Sequence, residues 1–218
     1  MLKLLRPAVT RALTPLGRAL ARRGISPDMV TAVGTLGTAA AALYFYPRGQ
    51  LFWGTLVITV FVLADLLDGV LARLGGGGGS TWGAFLDSTL DRIGDAAIFA
   101  GLTFWFVLSD QLVLAGVALF CLVAGALVSY AKARAEGLGL SCDVGLVERP
   151  ERLVAVLVPA WLDGLGVPYV LAIALWLLAG ASAVTVVQRI AHVHGQATQR
   201  LGGAAGPRPS ADRESDDR

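Results

Sequence analysis

Charge-free apolar runs set the outline of this 218-residue chain. Residues 29–47, 111–131 and 168–187 contain no charge, and crossing a hydrocarbon core takes about 20 apolar residues. Two more runs, 51–73 and 81–108, are apolar at one end only. Asp65, Asp68 and Arg73 occupy the last turns of the first, and Asp87, Asp91, Arg92 and Asp95 the first half of the second. A sixth run centres on residues 153–160; Pro159 interrupts it and Asp163–Gly164 stops it, so it reads as a short span or a re-entrant segment. Ahead of these, Leu2, Leu5, Val9, Leu13, Leu16 and Leu20 recur at three- and four-residue steps with arginines between them. That pattern predicts an amphipathic helix lying on the membrane surface over residues 1–24. The expected fold is an all-α integral membrane protein, six transmembrane helices (residues 25–195) behind this interfacial helix. Residues 196–218, rich in Gly, Pro, Ser, Asp and Arg, read as a disordered tail. The five glycines at 75–79 lack a following Lys-Ser/Thr, so they read as a linker rather than a phosphate loop.

Composition supports the membrane reading. Hydrophobic residues make up 55% and charged residues 16%, against about 25% charged in soluble domains. So little polar surface excludes a soluble globule, and so much apolar content excludes disorder over most of the chain. Cys121 and Cys142 show no metal or redox spacing; the first reads as packed in a span and the second as a free loop thiol. The net charge of +2 conceals an asymmetry. Six spans place the N-terminal arginines, Lys132, Arg134, Arg149, Arg152 and Arg189 on one side and leave Arg48 alone in a predicted outer loop. By the positive-inside rule this is a multi-pass protein of the cytoplasmic (inner) membrane with both termini cytoplasmic. Basic residues scattered through the first turns argue against a signal peptide, and no nucleic-acid partner is expected.

Ionisable groups inside a membrane are costly and point to function. Asp65, Asp68, Gly69, Ala72 and Arg73 stand at i, i+3, i+4, i+7 and i+8, on one helix face. Gly83, Asp87, Asp91 and Asp95 stand four apart and form a second stripe. At about 1.5 Å per residue, both acidic stripes lie roughly 8–12 Å from the inner helix ends. Two helices joined by the short linker are expected as antiparallel neighbours, with their carboxylates converging. Four carboxylates in a low-dielectric site need a counter-charge, which Arg73 and Arg92 do not fully supply. Hard divalent cations do, and Mg²⁺ shares its shell with substrate phosphates. Buried salt bridges or an ion pathway would use the same residues.

The run Asp65-x2-Asp68-Gly69-x2-Ala72-Arg73-x9-Gly83-x3-Asp87-x3-Asp91 resembles the full signature of the CDP-alcohol phosphotransferase family. The resemblance extends from Ser26 to about His194. It implies transfer of a substituted phosphate from a CDP-linked donor to an alcohol, with release of CMP, by a homodimeric six-span enzyme. By the same resemblance Asp65, Asp68, Asp87 and Asp91 would hold Mg²⁺, or Mn²⁺. Gly69, Ala72, Arg73 and Asp65 would contact the cytidine diphosphate, with Asp28 and Thr31 helping; many members carry Asn in place of Asp28. Asp91, the deeper of the two on its helix and the less committed to metal, is the choice for the base that takes the acceptor proton. Asp95, one turn deeper, is expected to pair with Arg92.

Basic residues at three inner helix ends suit a phosphate on the acceptor alcohol, although the positive-inside rule alone also accounts for cations there. Ser129-Tyr-Ala-Lys132-Ala-Arg134-Ala-Glu136 and Gly145-Leu-Val-Glu148-Arg149-Pro-Glu151-Arg152-Leu are similar to the bacterial phosphatidylinositol phosphate synthases within that family. Those enzymes join CDP-diacylglycerol to inositol 1-phosphate. The likeness implies Lys132, Arg152 and Arg189 as acceptor-phosphate residues, with Arg134 and Arg149 in support. Glu148 and Glu151 are expected to orient the arginines, and His192 and His194 to be surface residues. Glycerol 3-phosphate, serine or phosphatidylglycerol as acceptor, a membrane prenyltransferase and a carboxylate-site ion transporter remain the competing readings.

Overall fold

The computed structural model describes residues 14–15, 18–19, 22–24, 26–74 and 80–204, with backbone alone at 64–74 and 201–204. The expected surface helix of residues 1–24 lies largely outside the described residues; the linker 75–79 and residues 205–218 lie wholly outside them.

From residue 26 on, six α-helices follow one another among the described residues: α1 (Pro27–Phe45), α2 (Leu51–Leu74), α3 (Thr81–Leu108), α4 (Leu112–Gly137), α5 (Arg149–Gly164) and α6 (Val170–Ala204). Among the described residues there is no strand. The segments Pro27–Arg48, Leu112–Gly137 and Val170–Arg200 are long and apolar enough to cross a membrane. The chain is a multi-pass membrane protein.

Helix starts are written locally. The Ser26 hydroxyl accepts from the Met29 N–H at 3.2 Å, ahead of Pro27. Ser80 caps α3 in the same way, accepting from Gly83 N at 2.9 Å. Such caps satisfy donors that the first helical turn leaves open. At the opposite end, α1 passes through a 3₁₀ turn (Tyr46–Arg48) and Gly49 at φ 71° before α2 begins. Arg48, the cation expected alone outside, stacks over Tyr44 at 3.9 Å.

The helices close into a ring in the order α1, α2, α5, α6, α4, α3, each packing chiefly on its two neighbours. Among the described residues, the extensive contacts of α2 are with α1 and α5, and those of α3 with α1 and α4. Among the described residues, α1 thus packs on both α2 and α3. Glycines bring the backbones close, as they do generally between membrane helices. A Cβ on Gly101 would stand 2.6 Å from the Ala42 carbonyl oxygen. The outer half of the ring is an apolar core of Tyr46, Ile58, Phe99, Leu102, Phe106 and Leu175, where the Tyr46 hydroxyl meets Thr55 Oγ1 at 2.9 Å.

α5, read as a short span or a re-entrant segment, is one continuous helix through Pro159, roughly 24 Å long at 1.5 Å per residue. One expectation is corrected here: α6 continues past Gln196 to Ala204, so the tail does not begin at 196. Residues 196–200 contain no helix breaker, and they have partners. Gln196 holds both the backbone and the hydroxyl of Ser141, and Arg200 donates to the Gly139 carbonyl at 2.5 Å.

Candidate active site

Glycine contacts fix the levels of the helices around α1. A Cβ on Gly83 would meet Asp28 Oδ1 at 3.5 Å, and one on Gly94 would meet Thr38, so α3 rises beside α1 in the same direction. Gly37 lies against the Phe61 ring, so α2 descends. At the middle level a crevice is lined by Gly34, Thr35 and Thr38 of α1, Phe61 and Val62 of α2, Gly94 of α3 and Arg149 of α5. One turn below Phe61 is the backbone position of Asp65, and one turn below Asp95 is Asp91. Backbone position 65 of α2 and Asp91 of α3 thus each lie one turn below this crevice along their helices. The side chains of Asp65, Asp68, Gly69, Ala72 and Arg73 lie outside the described residues.

The first turn of α5 faces those of α3 that carry acid. Arg149 Nη1 stands 2.8 Å from Asp91 Oδ1 and its Nε 3.3 Å from Asp95 Oδ1. Arg152 Nη2 stands 2.6 Å from Asp95 Oδ2. Asp95 was expected to pair with Arg92, and this is corrected: its partners are Arg149 and Arg152, while Arg92 contacts Asp91 at 3.5 Å. The reason is burial. Asp95 and Arg152 are 5% and 2% exposed, and a carboxylate inside the ring needs a cation that is inside with it.

The remaining basic residues gather around the loop between α4 and α5. Lys132 Nζ bonds Asp143 at 2.5 Å and lies 3.8 Å from Glu136. Arg189, buried on α6, donates to the carbonyls of Val144 (2.9 Å) and Val128 and lies 3.9 Å from Glu148. The Thr185 hydroxyl accepts from Leu146 N and Val147 N, pinning the same loop to α6. One loop therefore touches Lys132 and Arg189 and leads into Arg149 and Arg152. Arg134 is exposed on the last turns of α4 and, among the described residues, stands outside these ion pairs.

Sequence reasoning passed over Asp143 and Gly125, which contact Lys132 and Arg152. Asp143 lies eleven residues from its partner across a turn, and Gly125 meets the Arg152 guanidinium from another helix, so neither contact leaves a periodic signal. Thr31 is buried and donates to the Pro27 carbonyl at 3.1 Å. Asp28 stands beside the start of α3. His192 is half-buried and His194 exposed, and both cysteines are buried.

The donors at this level are hard oxygen ligands, which suit a divalent cation. Gly83 adds room, since a Cβ there would stand 3.2 Å from Ser80 Oγ and close to Asp28. Among the described side chains no three His, Cys, Asp or Glu form a metal cluster; Asp87 and Asp91 are described, and the two carboxylates expected to complete the set belong to α2.

A family model described as CDP-alcohol phosphatidyltransferase matches residues 24–188. A phosphatidylinositol phosphate synthase of Streptomyces avermitilis is 52% identical over 205 residues, covering 90% of this chain and 84% of that protein. The enzyme of the same description from Mycolicibacterium smegmatis is 48% identical, covering 85% of each. Among solved structures, Mycobacterium tuberculosis phosphatidylinositol phosphate synthase with CDP-DAG bound superposes with a TM-score of 0.80 at 42% identity, covering 94% of this chain and 99% of that one. A second structure of that enzyme, in complex with manganese and citrate, gives the same TM-score over 93% of each chain.

Proposed function

This chain belongs to the CDP-alcohol phosphatidyltransferase family, and we propose that it moves the phosphatidyl group of CDP-diacylglycerol to a hydroxyl of inositol 1-phosphate. The products are phosphatidylinositol phosphate and CMP. The observation that carries the reading is the ion-paired junction of α3 and α5. There Asp91, at the acidic level of the ring, stands 2.8 Å from an arginine of a basic cluster built on α4, α5, α6 and their loop. An acidic half for a metal-held diphosphate thus abuts a basic half for a second phosphate.

The enzyme is divalent-metal-dependent. We assign Mg²⁺, with Mn²⁺ able to replace it, to Asp65, Asp68, Asp87 and Asp91. When bound, it neutralises the diphosphate and the charge developing on the CMP leaving group. Gly69, Ala72, Arg73, Asp28 and Thr31 orient the cytidine diphosphate. Lys132, Arg149, Arg152 and Arg189, with Arg134 at the rim, draw the acceptor phosphate in. Asp91 takes the hydroxyl proton as the acceptor oxygen forms its bond to the β-phosphorus, the one bearing diacylglycerol. The bond from that phosphorus to the bridging oxygen breaks, and CMP departs with the electron pair. Transfer is direct, with no covalent enzyme intermediate.

We place six spans in the cytoplasmic membrane with both termini inside, so that the basic cluster faces the soluble acceptor, and we expect a homodimer. The test is CMP release by purified protein with CDP-diacylglycerol and Mg²⁺, adding inositol 1-phosphate, glycerol 3-phosphate, serine or free inositol in turn. Stimulation by inositol 1-phosphate alone is expected. Stimulation by another acceptor would replace the assigned alcohol, pyrophosphate release would indicate a prenyltransferase, and metal flux without CMP would indicate a transporter.

A further inference from the structure

Asp95 stands outside the eight-position signature, yet it is the buried carboxylate on which the basic cluster converges. Its two oxygens are divided between two arginines: Oδ1 takes Arg149 Nε at 3.3 Å and Oδ2 takes Arg152 Nη2 at 2.6 Å. On the far side, Gly125 of α4 leaves room for the Arg152 guanidinium. A Cβ at that position would stand 3.0 Å from both Cζ and Nη1. Arg152 is thus held from both sides and 2% exposed. Arg149 is the more open of the two, with 24% of its side chain exposed, and spans from Asp95 to Asp91.

Charge explains why this arrangement needs a carboxylate. Both arginines sit in the first turn of α5, at the positive end of the helix dipole, where cations are disfavoured and anions favoured. Asp91 and Asp95 divide Arg149 between them, with Arg152 and buried Arg189 alongside. A phosphate monoester arriving at this helix N-terminus would engage Arg149 in place of Asp91, while Asp95 still holds its Nε side. We infer that Asp95 is a positioning residue for the acceptor's phosphate, holding Arg149 in register between that phosphate and Asp91 while Arg152 anchors the pair. The inference rests on the acceptor reading above and names the residue that makes the enzyme prefer a phosphorylated alcohol. Lys in place of Arg149 would lose the two-sided contact, since only a guanidinium offers Nε and Nη donors in fixed relation.

The experiment compares wild type, Asp95→Asn and Gly125→Ala in detergent, with two readouts. The first is thermal stabilisation by inorganic phosphate, which needs no turnover. Wild type should be stabilised, and both variants should need about tenfold more phosphate for the same shift, because a ~1 Å misplacement of a positioned group can cost about a hundredfold and these shifts are smaller. The second is the KM for inositol 1-phosphate against that for CDP-diacylglycerol. The acceptor KM should rise about tenfold or more, with the donor KM and kcat within about threefold. Gly125→Ala displaces Arg152 without altering any charge, so a shared signature assigns the effect to position. Wild type with no phosphate effect would overturn the anion seat. Equal phosphate binding by Asp95→Asn and wild type would overturn the role of Asp95, as would a loss confined to kcat. Phosphate binding that depends on Asp95, in a protein that releases no CMP with any acceptor, would retain this inference and refute the proposed reaction.

Discussion

Replacing Gly101 by alanine tests the close approach of α3 to α1, on which the height of the acidic stripe depends. The added Cβ would stand 2.6 Å from the Ala42 oxygen and 3.0 Å from its carbonyl carbon. The obstacle is backbone, so the two helices must separate rather than repack a side chain. Overpacking of this kind costs about 1–3 kcal/mol, and a backbone obstacle places it in the upper part, about 2–3 kcal/mol. Gly116→Ala is the matched control, because a Cβ there meets nothing within 4 Å. It retains the helix-propensity gain of about 1 kcal/mol that any glycine-to-alanine change brings, and the same gain is present in Gly101→Ala. The difference between the variants is therefore the overpacking alone. For a chain of this size 1 kcal/mol moves the melting temperature by about 2–4 °C, so Gly101→Ala should melt about 4–12 °C below Gly116→Ala. Thermal unfolding in one detergent, followed by intrinsic fluorescence, measures it. Coincident melting would refute the close α1–α3 contact.

Three further outcomes follow from the site. Asp91→Asn should lower kcat by about 10²–10⁴ while CDP-diacylglycerol still binds, as read by CMP release and by donor-induced thermal stabilisation; normal turnover would remove Asp91 from the role of base. Chelation should abolish CMP release, and added Mg²⁺ should restore it at least as well as Mn²⁺; activity that survives chelation would contradict the metal assignment. Arg189→Lys cannot keep contacts to the carbonyls of Val128 and Val144 and to Glu148 at once. Hydrogen bonds to charged groups are worth about 1.5–3 kcal/mol, so the acceptor KM should rise about tenfold to a hundredfold; an unchanged acceptor KM would mean that Arg189 only braces the loop.

Much of this molecule could be read from its sequence because the informative signals were local. The α3 boundaries matched residue for residue: Ser80 is a side-chain cap and the apolar run stops at Ser109–Asp110. The four-residue spacing of Asp87, Asp91 and Asp95 put them on one stripe without reference to any other helix. What depended on distant partners was read less well. Asp95 appeared to belong to Arg92, three residues away, whereas its partners lie 54 and 57 residues along the chain. The end of α6 was obscured by composition: glycine and proline beyond 201 coloured the reading of 196–200, whose contacts with Ser141 and Gly139 exist only in the folded chain.

The division of α3 into two unlike halves explains how a membrane protein can keep so many charges together. From Ala97 to Phe106 the helix buries Ala97, Ile98, Phe99, Leu102 and Phe106 in the outer core. From Gly83 to Asp91 it is only half-buried or exposed, and carries the acids. The apolar half supplies packing that does not depend on the charges, and it holds the polar half at a fixed height and rotation. Asp95 lies at the boundary, already buried, and is where the packed core passes its rigidity to Arg149 and Arg152. Perturbations on the two sides of that boundary should therefore separate. Gly101→Ala should lower the melting temperature and leave the ratio of acceptor KM to donor KM unchanged. Asp95→Asn should move that ratio by more than its effect on melting accounts for. If both variants changed stability and acceptor preference in fixed proportion, the two halves would be one cooperative unit, and positioning by Asp95 would not be separable from folding.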